Sequence, residues 1–66
     1  MKYEIKERCK NLVVINYTLG NGYKFFIEIY RNGTMYTDLI PNGNIKLLRK
    51  ILRIANKERL KLFFIR

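Results

Sequence analysis

The sequence has no histidine, no serine and no tryptophan, and it has only one cysteine and one proline. Without histidine and with a single cysteine, it cannot assemble a Cys/His metal site, and no internal disulfide can form. Without histidine or serine, the commonest general bases and nucleophiles are also missing, and the five acidic residues offer no evident catalytic pair. We therefore expect a binding protein rather than an enzyme, with no metal and no cofactor.

The short length limits how the chain can be stabilised. Residues 1–66 are expected to form one domain. A domain of this size buries only roughly 60% of the surface that its unfolded chain exposes. The chain compensates with a hydrophobic fraction of 48% that includes five Tyr and four Phe. A homodimer would be a further way of adding buried surface.

The N-terminal residues and the lone cysteine bear on location. Residues 1–8 are charged throughout and lack the apolar stretch of a signal peptide. No run approaches the ~18 apolar residues of a membrane span. Cys9 is expected to be a reduced thiol near a turn. These features predict a cytoplasmic protein that does not bind a membrane.

Positive charge dominates the composition. Fourteen Lys and Arg residues against five acidic residues give a formal net charge of +9 and a pI near 10.1. A charge of this size opposes folding through self-repulsion and attracts polyanions from a distance. The expected partner is therefore acidic, and nucleic acid is the first candidate.

Turn signals divide the first two thirds of the chain into segments of strand length. The signals are Gly20-Asn21-Gly22, Asn32-Gly33 and Pro41-Asn42-Gly43. The strands expected between them are 3–8, 12–18, 23–31 and 34–40. Asn32-Gly33 predicts a hairpin with a two-residue turn, in which Tyr30 would face Met35.

The periodicity of the apolar residues changes after Pro41. The aliphatic residues from Ile45 to Ala55 cover one half of a helical wheel, which predicts an amphipathic helix with its aliphatic half turned inward. Asn44 or Asn42 is the expected N-cap and Asn56 the expected end. Since a longer helix would turn Arg59 onto the apolar side, 59–65 is predicted as a last strand. The fold class expected is α+β: an antiparallel sheet of about four strands, one helix packed on one face, and a C-terminal strand.

The second face of the predicted helix carries five cations within an arc of roughly 120°. We call this set the basic ridge; its members are Lys46, Arg49, Lys50, Arg53 and Lys57. No acidic residue lies between Asp38 and Glu58, although surface helices commonly mix Glu among their cations. The ridge predicts contact with nucleic-acid phosphates and, because base-reading side chains are few, little sequence specificity.

A second candidate surface lies on the sheet. The predicted register groups two aromatic residues with a cation and a methionine on the face away from the helix, namely Lys24, Phe26, Tyr30 and Met35. Such a patch could stack nucleic-acid bases. It could equally be covered by another strand of the chain or form an interface with a partner or a second copy.

Two other functional classes fit the same residues. The chain could be a small inhibitor or adaptor, encoded by a phage or another mobile element, that docks on an acidic protein surface. Its target could be a nucleic-acid-handling defence effector of the CRISPR type. It could also be a homodimeric structural module in which the basic face has no role.

Overall fold

The computed structural model describes residues 1–40 and 43–64, and it has a four-stranded sheet with one helix. The elements are β1 (Lys2–Arg8), β2 (Leu12–Thr18), β3 (Lys24–Tyr30), β4 (Met35–Thr37), α1 (Ile45–Leu60) and a 3₁₀ helix (Lys61–Phe64). The strands pair in chain order, β1-β2-β3-β4, and every pair is antiparallel. The α+β class, the sheet and the single α-helix are confirmed.

The core lies between one face of the two central strands and α1. Alternate residues of β2 and β3 point to this face because side chains alternate across a strand. The buried strand residues are Val13, Ile15, Tyr17, Phe25, Ile27 and Ile29. Ile51 and Ala55 of α1 and Leu62 of the 3₁₀ helix cover them. The rings of Tyr17 and Phe25 stack with their centroids 4.9 Å apart.

Tyr17 ties the sheet to the helix through its hydroxyl. The side chain is fully buried, and its hydroxyl donates a hydrogen bond of 3.0 Å to the main-chain carbonyl of Ile51. Burial raises the pKa of Tyr17 above its usual value, and the negative charges of ionised Tyr3 and of Glu58 raise it further. The folded state therefore holds the Tyr17 proton at a pH where the unfolded chain has lost it.

This difference predicts how stability changes in alkali. Above about pH 10 the unfolded chain ionises at Tyr17 and the folded chain does not, so stability falls as the pH rises, by up to about 1.4 kcal/mol per pH unit. Tyr17→Phe is expected to be less stable at neutral pH by about 1 kcal/mol and to lose less stability between pH 9 and 11. Urea unfolding across that range measures both, and parallel losses in the two proteins would contradict the assignment.

The β3–β4 hairpin differs from the predicted one by a single residue. Gly33 N–H donates to the Tyr30 carbonyl, Tyr30 N–H donates to the Thr34 carbonyl, and only Gly33 within the loop has positive φ (95°). The loop therefore has three residues, 31–33, as in a type I turn followed by a glycine bulge. Met35 consequently pairs with Ile29, and the predicted pairing with Tyr30 is wrong.

The fourth strand is shorter than predicted because two side chains take over its hydrogen bonds. After Thr37 the ladder ends, and the Asp38 carboxylate accepts from Phe26 N–H at 2.9 Å. The Thr37 hydroxyl donates to the Phe26 carbonyl at 2.7 Å. These bonds satisfy β3 locally and release the chain toward α1. The Pro41-Asn42 part of the third turn signal, and Asn42 as an N-cap, lie outside the described residues.

The C-terminal region is helical where a strand was predicted. Asn44 caps α1 as expected, its side chain accepting from Leu47 N–H at 3.1 Å, but the helix runs past Asn56 to Leu60. Residues 61–64 continue as the 3₁₀ helix, and residue 65 of the predicted strand lies outside the described part. The objection to Arg59 fails because its guanidinium donates to the Asn56 side chain and to the Arg31 carbonyl.

Candidate nucleic-acid interface

The helix presents all five residues of the basic ridge to solvent. Each is exposed, and all lie on the side of α1 opposite its buried residues Ile51, Ala55 and Glu58. With a rise of 1.5 Å per residue, Lys46 and Lys57 stand about 16 Å apart along the axis. Packing of α1 on β2 and β3 therefore fixes the direction in which the ridge points.

The ridge cations have no acidic partner among residues 1–40 and 43–64. The salt bridges in this part of the chain are Arg8–Glu58 and Lys61–Glu58, and neither includes a ridge residue. Unpaired cations on a shared face keep their full charge available to an external anion.

The arrangement is unfavourable for the isolated helix. Ridge neighbours at spacings of three and four repel each other, at about 0.2–0.5 kcal/mol per pair and about 1–2 kcal/mol in total. The first turn of α1 has no acidic residue, and Lys46 lies where the helix dipole favours a negative charge. A bound polyanion would relieve both effects, so the helix is better suited to a complex than to stability alone.

The acidic residue of α1, Glu58, is buried and forms salt bridges with two cations. Glu58 is 2% exposed, and its carboxylate accepts from Arg8 of β1 and from Lys61, whose Nζ lies 3.0 Å from Oε2. This pair joins the edge strand to the end of the helix. It also engages the acidic residue that follows Lys57 in the sequence, because Glu58 pairs with Arg8 and Lys61 and with no ridge cation among the described residues.

Three of the other four acidic residues lie on the opposite side of the molecule. The strand register places Glu4, Glu7 and Glu28 on the face that α1 does not cover, which we call the outer sheet face. Lys2, Lys6 and Lys24 accompany them there, and all three lysines are exposed. The two signs offset each other on this face, so the uncompensated charge is concentrated on the helix side.

The predicted stacking patch is only partly assembled. Lys24, Phe26 and Tyr30 share the outer sheet face, and no described element covers it. Met35 does not join them, because its pairing with Ile29 puts it on the helix side of the sheet. Tyr36 takes its place, edge-on to Tyr30 at 6.1 Å between ring centroids. Glu28 lies between Phe26 and Tyr30 along β3, which is unfavourable for phosphate contact.

Two features were missed in the sequence. The Arg31 guanidinium lies over the Phe63 ring at 4.6 Å, and Arg59 approaches the same ring at 5.9 Å. This contact depends on the helix continuing past Asn56, so no local pattern indicates it.

The second feature is an exposed apolar flank on α1 formed by Ile45, Leu48 and Leu52, which were expected to turn inward. They stay exposed because α1 packs on the central strands and β4 is short.

In the described residues, no group of three or more His, Cys, Asp or Glu side chains could hold a metal ion. None of the helices in that part of the chain is long and apolar enough to cross a membrane. No protein-family model, no curated protein and no solved structure matches the chain.

Proposed function

We propose that this chain is a small nucleic-acid-binding protein that uses the basic ridge to contact phosphates. The observation that carries the proposal is that five exposed cations share one helix face and none has a salt bridge within residues 1–40 and 43–64. Phosphate contacts of this kind dominate the affinity of proteins for nucleic acid. The proposal assigns binding to the chain and no catalytic step.

The side chains near the ridge favour binding with little sequence preference. Base recognition in the major groove relies on Arg, which donates two hydrogen bonds to guanine, and on Asn or Gln, whose amide offers a donor and an acceptor to adenine. Asn56 has the side-chain amide nearest to the ridge. Its amide oxygen already accepts two hydrogen bonds from Arg59, from Nε at 3.1 Å and from Nη2 at 2.9 Å. The ridge is therefore better suited to contacts with the phosphate backbone of a nucleic acid than to contacts with its bases.

The salt dependence of binding tests the proposal. If all five cations contact phosphates of duplex DNA, the affinity is expected to fall about 500-fold between 50 and 200 mM salt. Fluorescence anisotropy with labelled duplex and single-stranded oligonucleotides of mixed sequence measures this. An affinity that does not respond to salt, or the absence of binding at 50 mM, would rule out the ridge as a phosphate site.

A further inference from the structure

An apolar cleft opens beside the basic ridge, between the residues that follow β4 and the first two turns of α1. Its volume is about 230 Å³, and its aliphatic lining consists of Leu39, Ile40, Ile45, Leu47, Leu48 and Ile51. Ile40 is 71% exposed, Ile45 62% and Leu48 43%. Aliphatic side chains grouped and exposed in this way on a small domain mark an interaction surface.

The charge around the cleft limits what can occupy it. Lys46 and Arg49 follow Ile45 and Leu48 in the helix, so the apolar wall turns directly into the ridge. A second copy docked on this wall would bring two rows of unpaired cations together, on chains that each carry +9. A neutral apolar occupant would desolvate cations without pairing them. The occupant must therefore join apolar side chains to negative charge.

The shape of the cleft favours a protein segment over a lipid surface or a nucleobase. The cleft is a concave space between two elements, and a flat bilayer would touch only its rims. None of the described residues that line it is aromatic, whereas proteins that hold single-stranded bases stack them on aromatic rings. Leucine-sized side chains of a peptide fit an aliphatic groove, in the manner of amphipathic segments that dock into hydrophobic grooves.

We propose that this cleft binds an acidic, amphipathic segment of a partner protein. The large apolar side chains of that segment occupy the cleft, and its carboxylates pair with Lys46 and Arg49 at the rim. The proposal does not depend on nucleic-acid binding, because the apolar lining of the cleft lies outside the ridge. The two sites share Lys46 and Arg49, so the segment and a nucleic acid would compete for these two cations. It would give the chain two overlapping sites, one for the acidic segment and one for nucleic acid.

Selection from a random 12-residue peptide library displayed on phage tests the proposal. We expect the enriched peptides to combine Asp or Glu with Leu, Ile, Phe or Met. The affinity of a synthetic enriched peptide is expected to fall at least about 10-fold for the double variant Ile45→Gln, Leu48→Gln, which loses two apolar contacts. The matched control is Leu60→Gln, since Leu60 is 47% exposed and does not line the cleft.

The other outcomes overturn the proposal or assign the cleft to a different occupant. Equal peptide affinity in the double variant and in the control, or no enrichment of acidic and apolar residues, would overturn the proposal. Binding of the chain to phosphatidylserine vesicles that is lost in the double variant, with no peptide enriched, would assign the cleft to a membrane surface. A loss of oligonucleotide affinity in the double variant equal to its loss of peptide affinity would assign the cleft to the nucleic-acid site. Thermal unfolding verifies that both variants fold.

Discussion

Replacing Arg49, Lys50 and Arg53 together by Glu is expected to lower the affinity for duplex DNA by about 500-fold at 0.1 M salt. The estimate follows from the loss of three phosphate contacts, each contributing about −0.9 to the slope of log affinity against log salt. The three residues are exposed and make no salt bridge within the described chain, so the substitutions break no native pairing. Glutamate is a good helix former, and circular dichroism is expected to show an intact helix.

The outer sheet face supplies the matched control. Replacing Lys2, Lys6 and Lys24 by Glu changes three exposed lysines, each by two charge units, so both triple variants go from +9 to +3. Because charges on the opposite face act through more than one screening length of about 10 Å, the loss is expected to stay below about 10-fold. Equal losses in the two variants would mean that net charge alone governs binding and that the ridge is not a site.

Replacing Arg8 by Leu is expected to destabilise the fold by about 3 kcal/mol. Glu58 is 2% exposed, and removal of Arg8 leaves its carboxylate with Lys61 as its remaining ion-pair partner in the described residues. Breaking a buried pair from one side is costly because the other charge stays desolvated. In a domain of this size the loss corresponds to a fall in melting temperature of more than about 10 °C, which calorimetry measures.

Two further variants separate the buried pair from charge in general. Lys10→Leu removes the same charge from an exposed turn position that has no salt bridge to a described residue, and is expected to change the unfolding free energy by less than about 0.5 kcal/mol. Adding Glu58→Leu to Arg8→Leu removes the stranded carboxylate and is expected to recover more than half of the loss. If Arg8→Leu lowered the unfolding free energy no more than Lys10→Leu does, the burial of the Glu58 carboxylate would not depend on its pairing with Arg8.

The elements that local patterns define were predictable from the sequence. β2 follows a run of β-branched and aromatic residues, and its observed bounds match the predicted ones, 12–18. The start of α1 follows from Asn44, which caps it, and from the change in period after it. The exposed ridge follows from the same helical period, since the five ridge residues occupy the side of α1 opposite Ile51 and Ala55.

The register of the β3–β4 hairpin was predicted wrongly because two turn types use the same dipeptide. Asn-Gly suits a two-residue turn with two positive φ angles, and it also suits a three-residue loop in which glycine alone has positive φ. The β2–β3 hairpin also has the second form, since Gly22 N–H donates to the Leu19 carbonyl and Gly22 has a φ of 88°. The choice decides the face of Met35, because a shift of one residue reverses every side chain of a strand.

The end of α1 could not be predicted because its stabilising contacts come from distant residues. Glu58 is buried against Arg8, 50 residues away in the sequence, and Arg59 reaches the carbonyl of Arg31, 28 residues away. Helical periodicity alone places charged residues at the margin of the apolar face, which indicated an end near Asn56. The exposed cleft was missed for a related reason, since the pattern indicates which side of a helix is apolar but not how far the sheet extends beneath it.

The slope of log affinity against log salt, measured for three proteins with one duplex oligonucleotide, tests the ridge most directly because it counts phosphate contacts. The wild-type chain is expected to give about −4.5, and the variant with Lys2, Lys6 and Lys24 changed to Glu the same value. The variant with Arg49, Lys50 and Arg53 changed to Glu is expected to give about −1.8. A slope that falls with the sheet-face variant, or that stays the same with the ridge variant, would place the phosphate contacts elsewhere and contradict the proposed role of the helix.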